Sequence, residues 1–350
     1  MSFEETLATE KRKIEDKIKV FFDQYSQPGT FYNQFLYQFY SDLAKYLLQG
    51  GKRLRPVSLV VMYKGLGGNN EDIYNLAISV ELLHNASLVH DDIIDHDLVR
   101  RGHPSFHAFY SDWYKKNLRQ YSEQEDFGLA MGILGGNLLV DLGQQAIIQT
   151  GFDQNGKLKA LTYYLMAYKE LIDGVAAESY LQSLPLEKVS EDDYLDMIRN
   201  KTAALFEKSI LMGAFLADRQ EKYKDKLSKF ATLLGQAFQI RDDILGVFGD
   251  PTKTGKSVEG DIREGKKTLL AIYGVKNAEF VKLYGKQDIS KDEIARVRQI
   301  LRESGALEKT KEKALDLATS ASEILKDIEL NETAYNFFNE LIKFVQERVI

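Results

Sequence analysis

Cysteine is absent from all 350 residues, and that one absence removes disulfide frameworks, thiolate zinc sites, iron–sulfur clusters and a cysteine nucleophile together. Proline is scarce. The five prolines (Pro28, Pro56, Pro104, Pro185 and Pro251) lie far apart, so long stretches contain nothing that would break a helix. No apolar run approaches ~18 residues and the start is charged throughout, so neither a transmembrane helix nor a signal peptide is expected. The expected address is the cytoplasm, without stable membrane insertion. Basic residues do not dominate: 46 Lys and Arg against 52 Asp and Glu leave a net charge of −6, which argues against nucleic acid as a partner but leaves room for a local basic pocket. What the chain has is core-forming material. Hydrophobic residues make up 44% of it, too much for a disordered chain.

Helical periodicity runs through almost the whole sequence, most clearly over 4–25, 33–49, 71–95, 157–184 and 191–217, and again over 223–247, 266–284, 291–304, 307–328 and 331–349. No segment reads convincingly as a strand. Pro56 suits a first helical turn, and Ser190 to Asp193 and Ser290 to Glu293 have capping-box form. The one long glycine-dotted, charged stretch, 246–265, reads as a functional or mobile loop. Composition shows no break, so residues 1–350 are expected to form a single all-α domain.

The most informative window is ELLHNASLVHDDIIDHDLVRRGHPSF, beginning at Glu81. Asp91 and Asp95 are i,i+4 on the predicted helix, with Cβ atoms ~5–6 Å apart on one face. Two carboxylates so placed repel unless a cation lies between them, and oxygen-only ligands favour Mg²⁺ or Mn²⁺. His84 falls within ~40° of both around the helix. The bland alternative is a solvated acidic helix end. A second acidic pair, Asp242 and Asp243, closes an otherwise apolar helix, where unpaired charge is costly. Its bland alternative is neutralisation by Arg241 and other basic groups. All five histidines (His84, His90, His96, His103 and His107) fall close together, yet Pro104 separates the one i,i+4 pair and no HExxH pattern is present, so a zinc site is set aside. Basic residues beside glycines and turns (Lys52, Arg53, Arg55, Arg100, Arg101, Lys201, Lys256, Lys266, Lys267) suit phosphate binding as a set. GDPTKTGKS, from Gly249, imitates a Walker loop, but five residues separate Gly249 from Gly255 where that loop needs four.

GGKRLRP, LLHNASLVHDDIIDHDLVRRG, NKT, FQIRDD, GK and EGKKT, in that order between Gly50 and Leu270, resemble the trans-isoprenyl diphosphate synthases, also called polyprenyl synthetases. The resemblance implies an all-α bundle around a central elongated cavity, usually a homodimer. It implies a prenyltransferase that condenses isopentenyl diphosphate with an allylic diphosphate (dimethylallyl, geranyl or farnesyl) using two or three Mg²⁺, with Mn²⁺ as an alternative. By the same resemblance Asp91, Asp92, Asp95, Asp242 and Asp243 serve the metal. Lys52, Arg55, His84 and Arg101 hold isopentenyl diphosphate, and Arg100, Lys201, Lys256 and Lys266 hold the allylic diphosphate. Thr202 and Gln239 turn oxygen dipoles toward the developing cation.

One departure stands out: Gly246 replaces a third aspartate of the second motif, with Asp243, Asp250 or Asp261 as candidates to compensate. Ala86 and Ser87, both small, lie one to two turns before Asp91, and the resemblance implies that an aromatic at the fifth position before that aspartate, here Ala86, would stop elongation early, so a product of geranylgeranyl length or longer is expected. Two other readings stay open. A class I terpene cyclase also uses DDxxD, and a non-catalytic partner subunit of a heteromeric synthase would keep the fold.

Overall fold

The computed structural model describes residues 2–25, 33–118, 124–249 and 259–347. Its helices are α1 (Phe3–Asp23), α2 (Gln34–Leu48), α3 (Leu54–Gly65), α4 (Ile73–Ile94), α5 (Phe106–Asn117), α6 (Gln124–Ile148), α7 (Gln154–Ser183), α8 (Glu191–Ile198), α9 (Ala204–Leu216) and α10 (Gln220–Phe248). After these come α11 (Gly260–Glu264), α12 (Leu269–Gly274), α13 (Ala278–Leu283), α14 (Lys291–Glu303), α15 (Ala306–Lys326) and α16 (Glu332–Glu347). The all-α expectation holds, with one small exception among the described residues. Val99–Arg100 and His103–Pro104 pair as a two-residue antiparallel hairpin, a structure too short to leave any alternation in the sequence. Both capping boxes, at Ser190 and Ser290, are formed.

Contacts divide the chain into two compact units, one of residues Met1–Leu165 and Met212–Arg219, the other of Met166–Leu211 and Gln220–Ile350. In the first, α4 packs against α6, α3, α1 and α5. The approach to α6 is close: a side chain at Gly136 would strike the His90 ring, and one at Gly132 would strike Ile93. An aromatic group from α2, α5 and α6 (Phe39, Phe106, Tyr110, Trp113, Phe127) fills the space beside them. In the second unit α10 lies against α15, and its stripe of Ile240, Ile244 and Val247 joins Tyr194, Met197, Ile198 and Leu270 in the core. Each such buried aliphatic contributes about 1.5–3 kcal/mol.

Four expectations need correction. The helix expected over 191–217 is interrupted by a π-helical turn, Arg199–Ala203, because hydrophobic period does not register one inserted residue. The segment 266–284 is broken into shorter helices, and α10 runs on to Phe248, into the stretch expected to be loop. Finally, α6 is long and apolar enough to cross a membrane by length and composition. The sequence reading missed it because Asp141 interrupts the apolar run while barely lowering its mean hydropathy. Its glycines press it onto α4 and α5, which accounts for part of that apolarity.

Candidate active site

In the first unit, α4 ends inside the DDxxD motif. Asp95 is its C-cap, His96 takes the left-handed conformation (φ 56°), and the N–H groups of His96 and Asp97 donate to the carbonyls of Ile93 and Asp92 at 3.3 and 2.9 Å. This is a Schellman closure with histidine in the place glycine usually takes. It sets Asp91 and Asp95 one turn apart at the negative end of the helix dipole, where anionic side chains are disfavoured and a cation is welcome.

The hairpin then folds back. Arg101 and Gly102 both have positive φ (54° and 77°), as a type I′ turn requires. Arg100 is thereby returned to Asp92, its Nε donating to Oδ1 at 2.7 Å with a second guanidinium nitrogen on the same oxygen. Tyr46 donates to Asp92 Oδ2 at 3.3 Å. Asp92 is fully buried, and burial pushes its pKa up against the pull of Arg100. Its partners are therefore Arg100 and Tyr46, so any support it gives a metal passes through them.

Arg101 donates to the Gly50 carbonyl at 3.0 Å and reaches Asn85 Oδ1 at 3.5 Å, while Asn85 is itself fixed by the Glu81 carboxylate at 2.7 Å. Arg53, buried at the left-handed N-cap of α3, pairs with Glu81 at 2.7 Å and with Glu15 at 3.1 Å. Arg55 lies 3.4 Å from His84 Nε2. Burial, and then the charges of Arg55, Arg101, Arg53 and Arg100, hold the His84 pKa well below its ordinary value, so the imidazole is neutral. Lys52 stands exposed on the same turn. Arg53 is paired with Glu81 and Glu15 and Arg100 with Asp92, while Arg55, Arg101 and Lys52 add further positive charge on this side of the unit, a setting suited to an anion. Ala86 is buried one turn before the aspartates, and Ser87 donates to the His84 carbonyl at 2.8 Å.

In the second unit the π-helical turn carries Lys201 and Thr202, a common setting for functional residues. Glycines let it approach its neighbours: a side chain at Gly174 would strike the Lys201 backbone, and one at Gly235 would strike Ala203. Lys201 pairs with Glu178. Thr202 donates to Gln239 Oε1 at 2.7 Å, Gln239 Nε2 donates to Asp243 Oδ1 at 2.8 Å, and Tyr194 donates to Asp243 Oδ2 at 2.5 Å. Burial, with Asp261 nearby, pushes Asp243 up to about 7. Asp242 is held differently. Arg241 donates to it from Nε at 3.1 Å, its guanidinium lying 4.1 and 4.7 Å from the Phe238 and Phe344 rings. Arg241 thus pairs with Asp242, whose side chain stays 42% exposed, while the hydrogen-bond donors to Asp243 are Tyr194 and Gln239.

The family model for polyprenyl synthetases matches residues 37–302. The chain belongs to the polyprenyl synthetase family. It is 33% identical to the geranylgeranyl diphosphate synthase of Saccharolobus solfataricus over 85% of this chain and 87% of that one. It is 35% identical to the geranylfarnesyl diphosphate synthase of Aeropyrum pernix over 86% and 91%. Among solved structures, a geranylgeranyl pyrophosphate synthase from Corynebacterium glutamicum, complexed with isoprenyl diphosphate and magnesium, superposes with a TM-score of 0.89 at 27% identity, covering 99% of this chain and all of that one. The protein is a prenyltransferase of this family, and its reaction is the condensation of isopentenyl diphosphate with an allylic diphosphate.

Among the described residues no three acidic or histidine side chains are gathered closely enough to hold an ion alone. Magnesium does not ask for more, since it is commonly bound through one or two carboxylates and completed by substrate phosphates. The oxygen-only Asp91 and Asp95 fit that demand. At the family's third-aspartate position, a Cβ on Gly246 would lie 2.3 Å from Asp261 Oδ2, so the carboxylate of α11 occupies the place a side chain there would take. Lys266 sits 3.5 Å from Asp261 and 3.3 Å from Glu264. Lys256 and Asp250 lie outside the described residues. Tyr46, Glu81, Asn85, Glu178 and Tyr194 had no role in the sequence reading. Glu81 and Asn85 were findable as an i,i+4 polar pair in an apolar helix, whereas Tyr194 and Glu178 left no local signal.

Proposed function

We propose that the protein makes a trans-polyprenyl diphosphate of at least twenty carbons, using Mg²⁺ held by Asp91, Asp95 and Asp242 together with the substrate diphosphates. The observation that carries this reading is the oxygen-only carboxylate pair at the negative end of α4, in the same unit as the arginine recess around a neutral His84. That recess suits isopentenyl diphosphate: Arg55, Arg101 and Lys52 meet its charge, and the neutral His84 imidazole, whose Nε2 faces the Arg55 guanidinium, has one N–H to donate. Lys201 and Lys266 leave their carboxylate partners for the allylic diphosphate. Magnesium, when bound, stabilises the departing diphosphate. Thr202 and Gln239 turn oxygen toward the positive charge that develops as the C–O bond breaks. The condensed product loses its proton to the departed diphosphate, so no protein nucleophile is needed. Asp261 supplies the carboxylate that Gly246 lacks.

Position 86, where by the family resemblance an aromatic stops elongation early, holds a small, buried alanine, so Ala86→Tyr is expected to shorten the product, as read by chromatography of the dephosphorylated prenols. Exposed Ile133, Leu134 and Ile148 on α6 (49, 52 and 59% exposed), on one side of the helix together with the exposed polar Asn137 and Asp141, support a homodimer. Purified protein incubated with Mg²⁺, labelled isopentenyl diphosphate and primers of ten, fifteen and twenty carbons tests the whole reading. Transfer to at least one primer is expected; no transfer to any of them would favour a non-catalytic subunit.

A further inference from the structure

The hydrogen bonds that end on Asp243 run in one chemical direction. Asp243 accepts from both of its neighbours, the amide N–H of Gln239 at Oδ1 and the hydroxyl of Tyr194 at Oδ2. The Gln239 amide is therefore oriented by its neighbour. Were it turned over, its carbonyl would face the Asp243 carboxylate, oxygen against oxygen. With Nε2 committed to Asp243 at 2.8 Å, Oε1 must face Thr202, and the single hydroxyl proton of Thr202 is committed to it at 2.7 Å. What Thr202 then presents on its remaining sides is lone pairs. A hydroxyl left to rotate would present its proton part of the time, and a proton is the wrong pole for a developing cation.

Tyr194 closes this relay. It lies on α8, is 1% exposed, and packs in the core beside Met197 and Ile198, so its position is set by a rigid environment. Its hydroxyl, 2.5 Å from Asp243 Oδ2, occupies the second carboxylate oxygen and stops the side chain from turning away from Gln239. We propose that Tyr194 is a positioning residue for catalysis. Acting through Asp243 and Gln239, it locks the Thr202 hydroxyl so that only oxygen lone pairs face the allylic cation. This rests on the prenyl-transfer reading above and adds to it a determinant that touches neither substrate nor metal.

The test compares two bisphosphonates of equal size, one with a protonated amine at the position of the reacting carbon and one with a neutral isostere, titrated calorimetrically with Mg²⁺ present. Wild-type protein is expected to prefer the charged ligand. Tyr194→Phe is expected to reduce that preference about tenfold, the worth of one hydrogen bond to a charged group, by weakening the charged ligand and leaving the neutral one unchanged. In turnover the same variant is expected to lower kcat by a similar factor with KM for both diphosphates unaltered. Should Tyr194→Phe fold poorly, Thr202→Val must show the same loss of preference and Thr202→Ser must retain it. Equal weakening of both ligands, or no change in either, would overturn the relay. Wild-type protein that transfers no prenyl group yet keeps the charge preference would overturn the reaction reading and leave the relay standing.

Discussion

The acidic end of α4 and the acidic stretch of α10 carry the same residue type and handle it in opposite ways. On α4 the buried Asp92 is met by a full charge, with Arg100 returned to it by the hairpin. On α10 the corresponding second aspartate, Asp243, is met by neutral donors, Tyr194 and Gln239. The difference separates two tasks. Guanidinium pairing builds a stiff, charged mouth for ions that arrive already charged. Neutral donors bring no opposing full charge to Asp243, and in the relay proposed above they would pass orientation along a chain of dipoles to Thr202. Asp242, held by Arg241, shows that α10 can also use charge pairing, so the neutral treatment of Asp243 follows from its particular surroundings.

The comparison breaks first at the metal pair. Asp91→Ala and Asp95→Ala are each expected to lower kcat by about 10²–10³-fold, the scale for removing one preorganised electrostatic group. Steady-state transfer assays check this, and a fall under tenfold would remove them from the metal set. Next comes the carboxylate that α11 sets against Gly246 of α10. Asp261→Ala should weaken Mg²⁺ binding in the presence of inorganic pyrophosphate by about 10–100-fold, as outer-shell losses do. Gly246→Asp combined with Asp261→Ala should restore part of the loss, since the vacated place is the one that a residue 246 side chain enters. Calorimetry reads both, and a double variant no better than the single one counts against substitution of one carboxylate for the other.

A gentler test uses pH on metal-free protein. Asp243 titrates at about 7 in the folded state against an ordinary 3.8. Folded protein therefore binds more protons than unfolded protein between these values, and stability from this group falls as pH rises through the window. The melting temperature of the metal-free wild type should decline from pH 5 to 7, while Asp243→Asn flattens that decline. Smallest is Tyr46→Phe, which removes the 3.3 Å bond to Asp92 but leaves Arg100 in place. Urea unfolding should show a loss of about 0.5–1.5 kcal/mol. A much larger loss would mean that the charge pair depends on the neutral donor after all.

Legibility followed the range of the interactions. The all-α class, most helix bounds within a few residues, both capping boxes and both aspartate clusters could be read directly, because helical period, caps and i,i+4 spacing act over one or two turns. The π-helical turn, the hairpin and the partners of the aspartates could not. Tyr194 is 49 residues from Asp243, and Tyr46 is 46 from Asp92; no local pattern encodes a hydrogen bond across such a gap.

By itself, then, the sequence determined which carboxylates, arginines and lysines this protein has and roughly which helix each one rides. Tertiary structure decided what those groups meet. It gave Asp92 to Arg100, made Asp243 an acceptor of two neutral donors, set the Asp261 carboxylate where Gly246 has no side chain, and surrounded His84 with arginines so that it stays neutral. The physical reason is that charge and hydrogen-bond direction depend on neighbours and burial, and those are fixed only when helices distant in sequence pack together.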